Sequence, residues 1–207
     1  MVVYRDNDIK NTILYRLTDD ELTQEIIEDF KNLIEVGFQI ESITCDGHRS
    51  ILKAIRKVYK KRVVIQRCVV HIERQCSTWL TRNPKSEAGQ ELRKIVKKIS
   101  LIETLEQKYI WLRNLYDWDI KHRNFINEKN SNDKRYTHTY LRKARRMLIN
   151  AFPDMFHYID NPNIPKCTNA LESFFGHLKD NLSIHRGLNR KHRKSFIQWY
   201  IHFKNGE

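Results

Sequence analysis

Four side chains could carry chemistry: the carboxylates Asp46 and Glu172, and the Cys68, His71 pair of the run CVVH. Carboxylates that converge from separate elements can hold two hard cations roughly 3.5 to 4 Å apart, activating an attacking oxygen and stabilising a leaving one in phosphoryl transfer. Mg2+ (or Mn2+) suits such a site because it takes oxygen ligands and keeps waters. Each acid also has a plainer role. Asp46 beside Gly47 can form a turn, and Glu172 near a helix start meets a favourable dipole. Structural zinc wants four ligands, usually in two close pairs, so Cys68 and His71 would need Cys76 and Cys45 to complete a set. Two other readings of the pair stand: a buried Cys with a satisfied His at a strand end, or a site role in which His71 contacts a phosphate or base beside the acids.

The elements that must position these groups lie between Glu41 and Gln75. Glu41 to Cys45 is a short β-branched run bounded by the turn residues Asp46 and Gly47, so it reads as a buried strand ending on a carboxylate. Ile51, Leu52, Ile55, Val58 and Tyr59 recur at helical spacing over Arg49 to Tyr59, and Val63 to Ile65 restart a strand. In such a strand, helix, strand unit the carboxyl ends of both strands face one crevice, which predicts that Asp46 and the Cys68, His71 pair share a rim.

Upstream, Val2 to Tyr4 and Ile13 to Leu17 read as a hairpin turned by Asp6, Asn7, Asp8 and Asn11. A lone hairpin is marginal, so these strands are expected to join a larger sheet. Thr18, Glu21 and Thr23 signal a helix start, Ile26, Ile27, Phe30, Leu33 and Ile34 mark its apolar face, and Gly37 its end. Downstream, helical patterns run through Leu92, Ile95, Val96 and Ile99, through Leu105, Tyr109, Leu112 and Tyr116, and through Tyr140, Leu141, Ala144 and Leu148. Asn83 and Pro84, the polar run Asn127 to Arg135, and the run Asp160 to Pro165 break them. Asn169 to Leu182 is a further helix carrying Glu172, and Ser195 to Phe203 reads as either helix or strand. The expected organisation is α/β: residues 1–78 form the first part of a core, 79–160 an all-α insertion, and 161–207 the last part of the core.

A formal net charge of +13 over 207 residues points to a polyanionic partner, nucleic acid before an anionic membrane surface. Leu182 to Gly206 holds six Lys/Arg and three His with no acid, interleaved with Phe196, Trp199, Tyr200 and Phe203. That mixture suits a DNA groove, with Arg186, Arg190, Lys191, Arg193 and Lys194 on the backbone and the aromatics either stacking or anchoring the core. A solvated helix face is the plainer reading of such a charge run. No stretch approaches the roughly 18 apolar residues of a membrane span. The N-terminus lacks the apolar core of a signal peptide, and four scattered cysteines fit a reducing compartment, so a cytoplasmic location is expected.

ITCDGHRSI, then a Cys and a His 22 and 25 residues after its Asp, then a helical stretch, then TNALESFFGHLK, resembles the DDE transposases of the Mutator-like class. The resemblance covers nearly the whole chain and rests on order and spacing, since each motif alone is weak. It implies an RNase H-like core interrupted by an all-α insertion between the second and third acids. The implied activity is metal-dependent cleavage and strand transfer at transposon ends and target DNA. By motif, Asp46 is similar to the second acid, Glu172 to the third, and Cys68 with His71 to the family's Cys/His signature, where they are expected to contact DNA. The family's first Asp lies on the strand before the one that opens this chain, so a chain cut from the left is expected, with Val2 to Tyr4 as an open edge. Bringing two DNA ends together implies a homodimer. Two rivals remain, a non-catalytic DNA-binding transposase remnant and a zinc-stabilised interaction module.

Overall fold

A computed structural model describes residues 1–18, 22–130 and 135–206. The chain divides into two compact units, one of 1–41, 47–63 and 168–207, the other of 42–46 and 64–167. Among the described residues no helix is long and apolar enough to cross a membrane.

The first unit holds the hairpin β1 (Val2–Arg5) and β2 (Thr12–Arg16) with helices α1 (Thr23–Glu35), α2 (Arg49–Tyr59), α8 (Asn169–Ile184) and α9 (Arg190–Asn205). The strands pair antiparallel, Val2 opposite Arg16. Their turn is held by Asp6, whose carboxylate accepts from the backbone N–H of Asp8 at 2.8 Å and of Ile9 at 3.1 Å, as Asp does in turns. Instead of joining a larger sheet, the hairpin packs Val3 and Tyr15 against Phe174 and Leu178 of α8 and Ile201 of α9. The Asn205 amide closes α9 onto β2 like a ladder rung, accepting from Thr12 N at 2.9 Å and donating to Thr12 O at 2.8 Å.

Helix α1 buries Ile26, Ile27, Phe30 and Leu33, while Ile34 is exposed. It ends as the sequence predicts: Gly37, at φ +97°, donates to Ile34 O and Phe38 donates to Leu33 O, both at 3.0 Å. That is a Schellman motif, whose left-handed residue favours glycine. The Glu21 part of the start signal lies outside the described residues. Phe30 stacks edge-on between Tyr4 and Tyr59, 5.4 Å from each. Beneath them the buried Asp29 accepts from Arg16 Nε at 2.9 Å and from the Tyr4 hydroxyl at 3.0 Å.

The second unit holds the parallel strands β3 (Ser42–Cys45) and β4 (Val64–Arg67) and helices α3 (Val69–Leu80), α4 (Glu87–Val96), α5 (Leu105–Ile126), α6 (Thr139–Ala151) and the single-turn α7 (His157–Asp160). One apolar core runs from Val69 and Ile72 of α3 through Leu92 and Val96 of α4 to Leu148 of α6 and Ile164. Helix α5 corrects the sequence reading. Its period is right, but Tyr109 and Tyr116 are exposed, and the buried face is Trp111, Leu115, Trp118 and Ile126. Both indoles donate to α4 carbonyls, Trp111 to Ile95 O and Trp118 to Ala88 O, each at 2.9 Å. A tryptophan body can be buried when its N–H finds a carbonyl, so these rings outcompete the tyrosines for the core. Residues 131–134 of the expected polar break lie outside the described residues. The ambiguous 195–203 run is helix, within α9.

Two ion-pair groups can be tested. Asp29→Ala removes the acceptor of a buried pair, and a loss of about 3 kcal/mol is expected, read as a lower urea midpoint with unchanged slope. Glu91 accepts from Lys121 and lies 2.7 Å from His122 Nε2; Lys121 first, then His122, holds its carboxyl down at about 2. A depressed carboxylate stabilises above its ordinary range and loses that contribution as pH falls through its folded value. The stability gap between wild type and Glu91→Gln, followed by denaturant titration, should close between pH about 4.5 and about 2.

Candidate nucleic-acid and metal site

Strands β3 and β4 run in register, Ser42 opposite Val64 and Cys45 opposite Arg67, so both end at one level. A parallel pair requires a crossover between its strands. Here α2 lies on that crossover, which makes the carboxyl ends of the two strands coincide. One further bond, Cys68 N to Cys45 O at 2.7 Å, continues the pairing past the last rung.

On this rim the chain sets the predicted residues in order. Asp46 follows β3 directly and is half-buried. Gly47, at φ +82°, then turns the backbone away in the left-handed region that favours glycine. Cys68 follows β4, is fully buried and begins α3 as its N-cap. His71 lies in the first turn of α3, its Nδ1 3.2 Å from Cys68 Sγ. Asp46, Cys68 and His71 therefore stand at the ends of one strand pair, as the sequence predicts.

The strand ends are held from behind. Gln66, fully buried, donates from Nε2 to Arg67 O and Met155 O, each at 2.7 Å, and accepts from His157 N at 3.0 Å. Thr44 donates to Pro165 O at 2.8 Å, and Val69 N donates to Lys166 O at 3.1 Å. A satisfied buried network of this kind rigidifies what it surrounds.

Sequence reasoning missed Arg67, the last residue of β4. It is 7% exposed, and one of its terminal nitrogens donates to Asp46 O at 3.4 Å. The signal was available: an arginine inside the run VVIQRCVV, whose other residues apart from Gln66 are apolar, is a charge the fold must bury. Cys76, a candidate zinc partner, belongs to the helical core instead, with Sγ 3.9 Å from Ala144 O and its thiol pushed up to about 12 by burial.

Glu172 belongs to the other unit, half-buried in the first turn of α8, with its N–H donating to Thr168 O at 3.0 Å. In the same unit Arg190, Lys191, Arg193 and Lys194 are exposed on the first turns of α9, and Arg186 lies in the preceding turn, donating to Ser183 O at 3.1 Å. Lys179, His185, Arg186 and Arg193 line a cavity of about 300 Å³ there, with Leu182, Ser183 and Leu188. Asn189 caps α9 through His192 N at 2.9 Å, and the first turn contains no acid. Cations at the positive end of a helix dipole are unfavourable, so this placement works against the helix and suits an anion. The aromatics divide: Tyr200 packs on Phe174 at 5.5 Å, whereas Trp199 and Phe203, 60% and 64% exposed, stack on each other at 5.7 Å.

No curated protein and no solved structure matches the chain. The family model described as transposase, Mutator family, matches residues 8–186. The match takes in Asp46, the Cys68, His71 pair, the helices between them and Glu172, and it stops short of α9. With the motif order, the shared strand-end rim and this match in agreement, the chain belongs to the Mutator family of transposases.

Proposed function

We propose that this chain performs divalent-metal-dependent cleavage and strand transfer on DNA, as a DDE-type catalytic region in which Asp46 and Glu172 are two of the acids. The observation that carries the reading is Asp46 at the carboxyl end of β3, level with Cys68 and His71 after β4. Ligands of α/β sheets gather at such strand ends. The reading extends to an RNase H-like core whose helical segment, α4 to α6, separates the two acids in the chain. Cytoplasmic location and a homodimer that brings two DNA ends together belong to the same proposal.

The donor set fits a hard cation in part. The Asp46 carboxylate is a hard oxygen donor suited to Mg2+ or Mn2+, and Glu172 is the second such donor. His71 imidazole suits Mn2+ better than Mg2+. The Cys68 thiol is soft and fully buried beside His71 Nδ1, so its role is to orient that ring. When bound, the ions would polarise the phosphodiester and lower the pKa of the attacking water or 3′-hydroxyl. The chain's own residues do the rest. Cys68, 3.2 Å from Nδ1, orients the His71 ring, and the imidazole contacts a phosphate or base. The cations of α9 hold the DNA backbone without reading its sequence, and exposed Trp199 and Phe203 offer flat faces for unpaired bases.

Two experiments test this. Asp46→Ala and Glu172→Ala should each abolish manganese binding, followed by the water-proton relaxation of Mn2+ solutions; unchanged affinity in both variants sinks the metal assignment. Replacing Arg190, Lys191, Arg193 and Lys194 together by Gln should flatten the plot of log affinity for duplex DNA against log salt, by about 0.9 for each phosphate that the variant no longer neutralises. Salt-sensitive binding with no strand cleavage in Mg2+ or Mn2+ would mark the chain as a DNA-binding remnant instead.

A further inference from the structure

Arg67 is the one side chain of the strand-end rim whose chemistry the motifs leave unused. Its guanidinium carries five N–H donors in a planar fork. It is more than nine-tenths buried, yet its Nε has no hydrogen-bond partner among the described residues. The bond to Asp46 O, at 3.4 Å, is long and goes to a neutral carbonyl. Among the described residues no carboxylate forms an ion pair with it. By contrast, Arg16 closes on Asp29 with two nitrogens, and Arg145 on Asp119 in the same way. A buried charge without a counter-ion is among the most expensive features a fold can keep.

We infer that Arg67 is a phosphate-binding residue, which grips a non-bridging oxygen of a DNA phosphodiester brought to the ends of β3 and β4. The inference rests on the reading of this rim as the DNA-processing site. Placement supports it. Arg67 stands opposite Cys45, one residue from Asp46 across the pairing and one from Cys68 along the chain. An acid that attracts a cation and an arginine that lacks an anion thus share one rim. A metal-loaded phosphodiester carries both charges, and its oxygens match the guanidinium fork. Rotation of the outer side-chain torsions exchanges one long bond to Asp46 O for charge-assisted bonds of roughly twice the strength. Arg67 differs in kind from the α9 cations, which are exposed and hydrated; a fork already stripped of water gives up less to bind.

The test uses the whole chain, labelled with nitrogen-15, and dimethyl phosphate as the phosphodiester probe. The Arg67 Nε–H resonance, assigned by its disappearance in Arg67→Lys, is expected to move on titration. Arg67→Lys should weaken dimethyl phosphate binding roughly tenfold. The fourfold Gln variant of α9 should leave the Arg67 shift in place. If the Nε–H resonance stays still while resonances of the α9 arginines move, the phosphate is held by the exposed cations and the inference falls. Should Arg67→Lys fail to fold, the wild-type resonance is assigned instead by carbon-13 and nitrogen-15 correlation along the Arg67 side chain, and it then decides alone. Titration with Mn2+ and no phosphate separates this proposal from the metal assignment. Broadening at Asp46 and His71 with an Arg67 signal that dimethyl phosphate does not move overturns only the present inference; a shifted Arg67 signal without such broadening overturns only the metal assignment.

Discussion

The in-register parallel pairing of β3 and β4 is the constraint on which the candidate rim depends. Parallel strands cannot be joined by a tight turn, and the chain spends residues 46–63 on returning to start β4 beside β3. Because Cys45 stands opposite Arg67, whatever follows each strand must emerge at the same place: Asp46 and Gly47 from one, Cys68 and the first turn of α3 from the other. A slip of one residue would turn every side chain of β4 to the opposite face. It would exchange the buried Gln66 with Arg67 and dismantle the network that ties β4 to Met155 and His157. That network and the bond from Thr44 to Pro165 are the physical reason the register is single-valued.

Charge is arranged in two opposite ways. In each unit, buried or half-buried acids close on cations from distant positions, Asp29 on Arg16 and Asp119 on Arg145, and these pairs tie elements of one unit together. Arg145 holds the Asp119 carboxyl below its usual range through the direct hydrogen bond. Arg67 and the start of α9 break the pattern. One is a buried guanidinium left to a backbone carbonyl; the other is a group of exposed cations crowded at the helix end whose dipole opposes them. Placements that work against a local rule mark positions shaped by a partner. Both exceptions ask for an anion, which agrees with a family that works on DNA.

Helix α5 shows how far periodicity carries and where it stops. Its 22 residues repeat apolar side chains at helical spacing on two adjacent stripes, one of Leu105, Tyr109, Leu112 and Tyr116, the other of Trp111, Leu115 and Trp118. Period alone identifies a helix and cannot choose between the stripes. The choice falls to the larger rings whose N–H groups meet α4 carbonyls, leaving the two tyrosines in solvent. Tyr140 on α6 repeats the outcome: it is exposed while Leu141, Ala144 and Leu148 fill the core.

The sequence by itself determined the features that follow from neighbours along the chain. The hairpin turn at Asp6, the end of α1 at Gly37, the span of α2 and the strand stop at Asp46 were legible because turn chemistry, left-handed backbone and apolar period act over a few residues. Order and spacing of Asp46, Cys68, His71 and Glu172 likewise sufficed to indicate the family. Tertiary structure alone decided which stripe of α5 is buried, that β1 and β2 form a sheet of their own packed on α8 and α9, and that Cys76 serves the helical core. It also decided that Arg67 ends β4 as a buried cation whose guanidinium reaches a carbonyl across the strand pair rather than a carboxylate. These outcomes depend on competition for space and on hydrogen bonds between residues far apart in the chain, from 16 positions for Trp111 and Ile95 to 193 for Thr12 and Asn205. No local pattern encodes such competition.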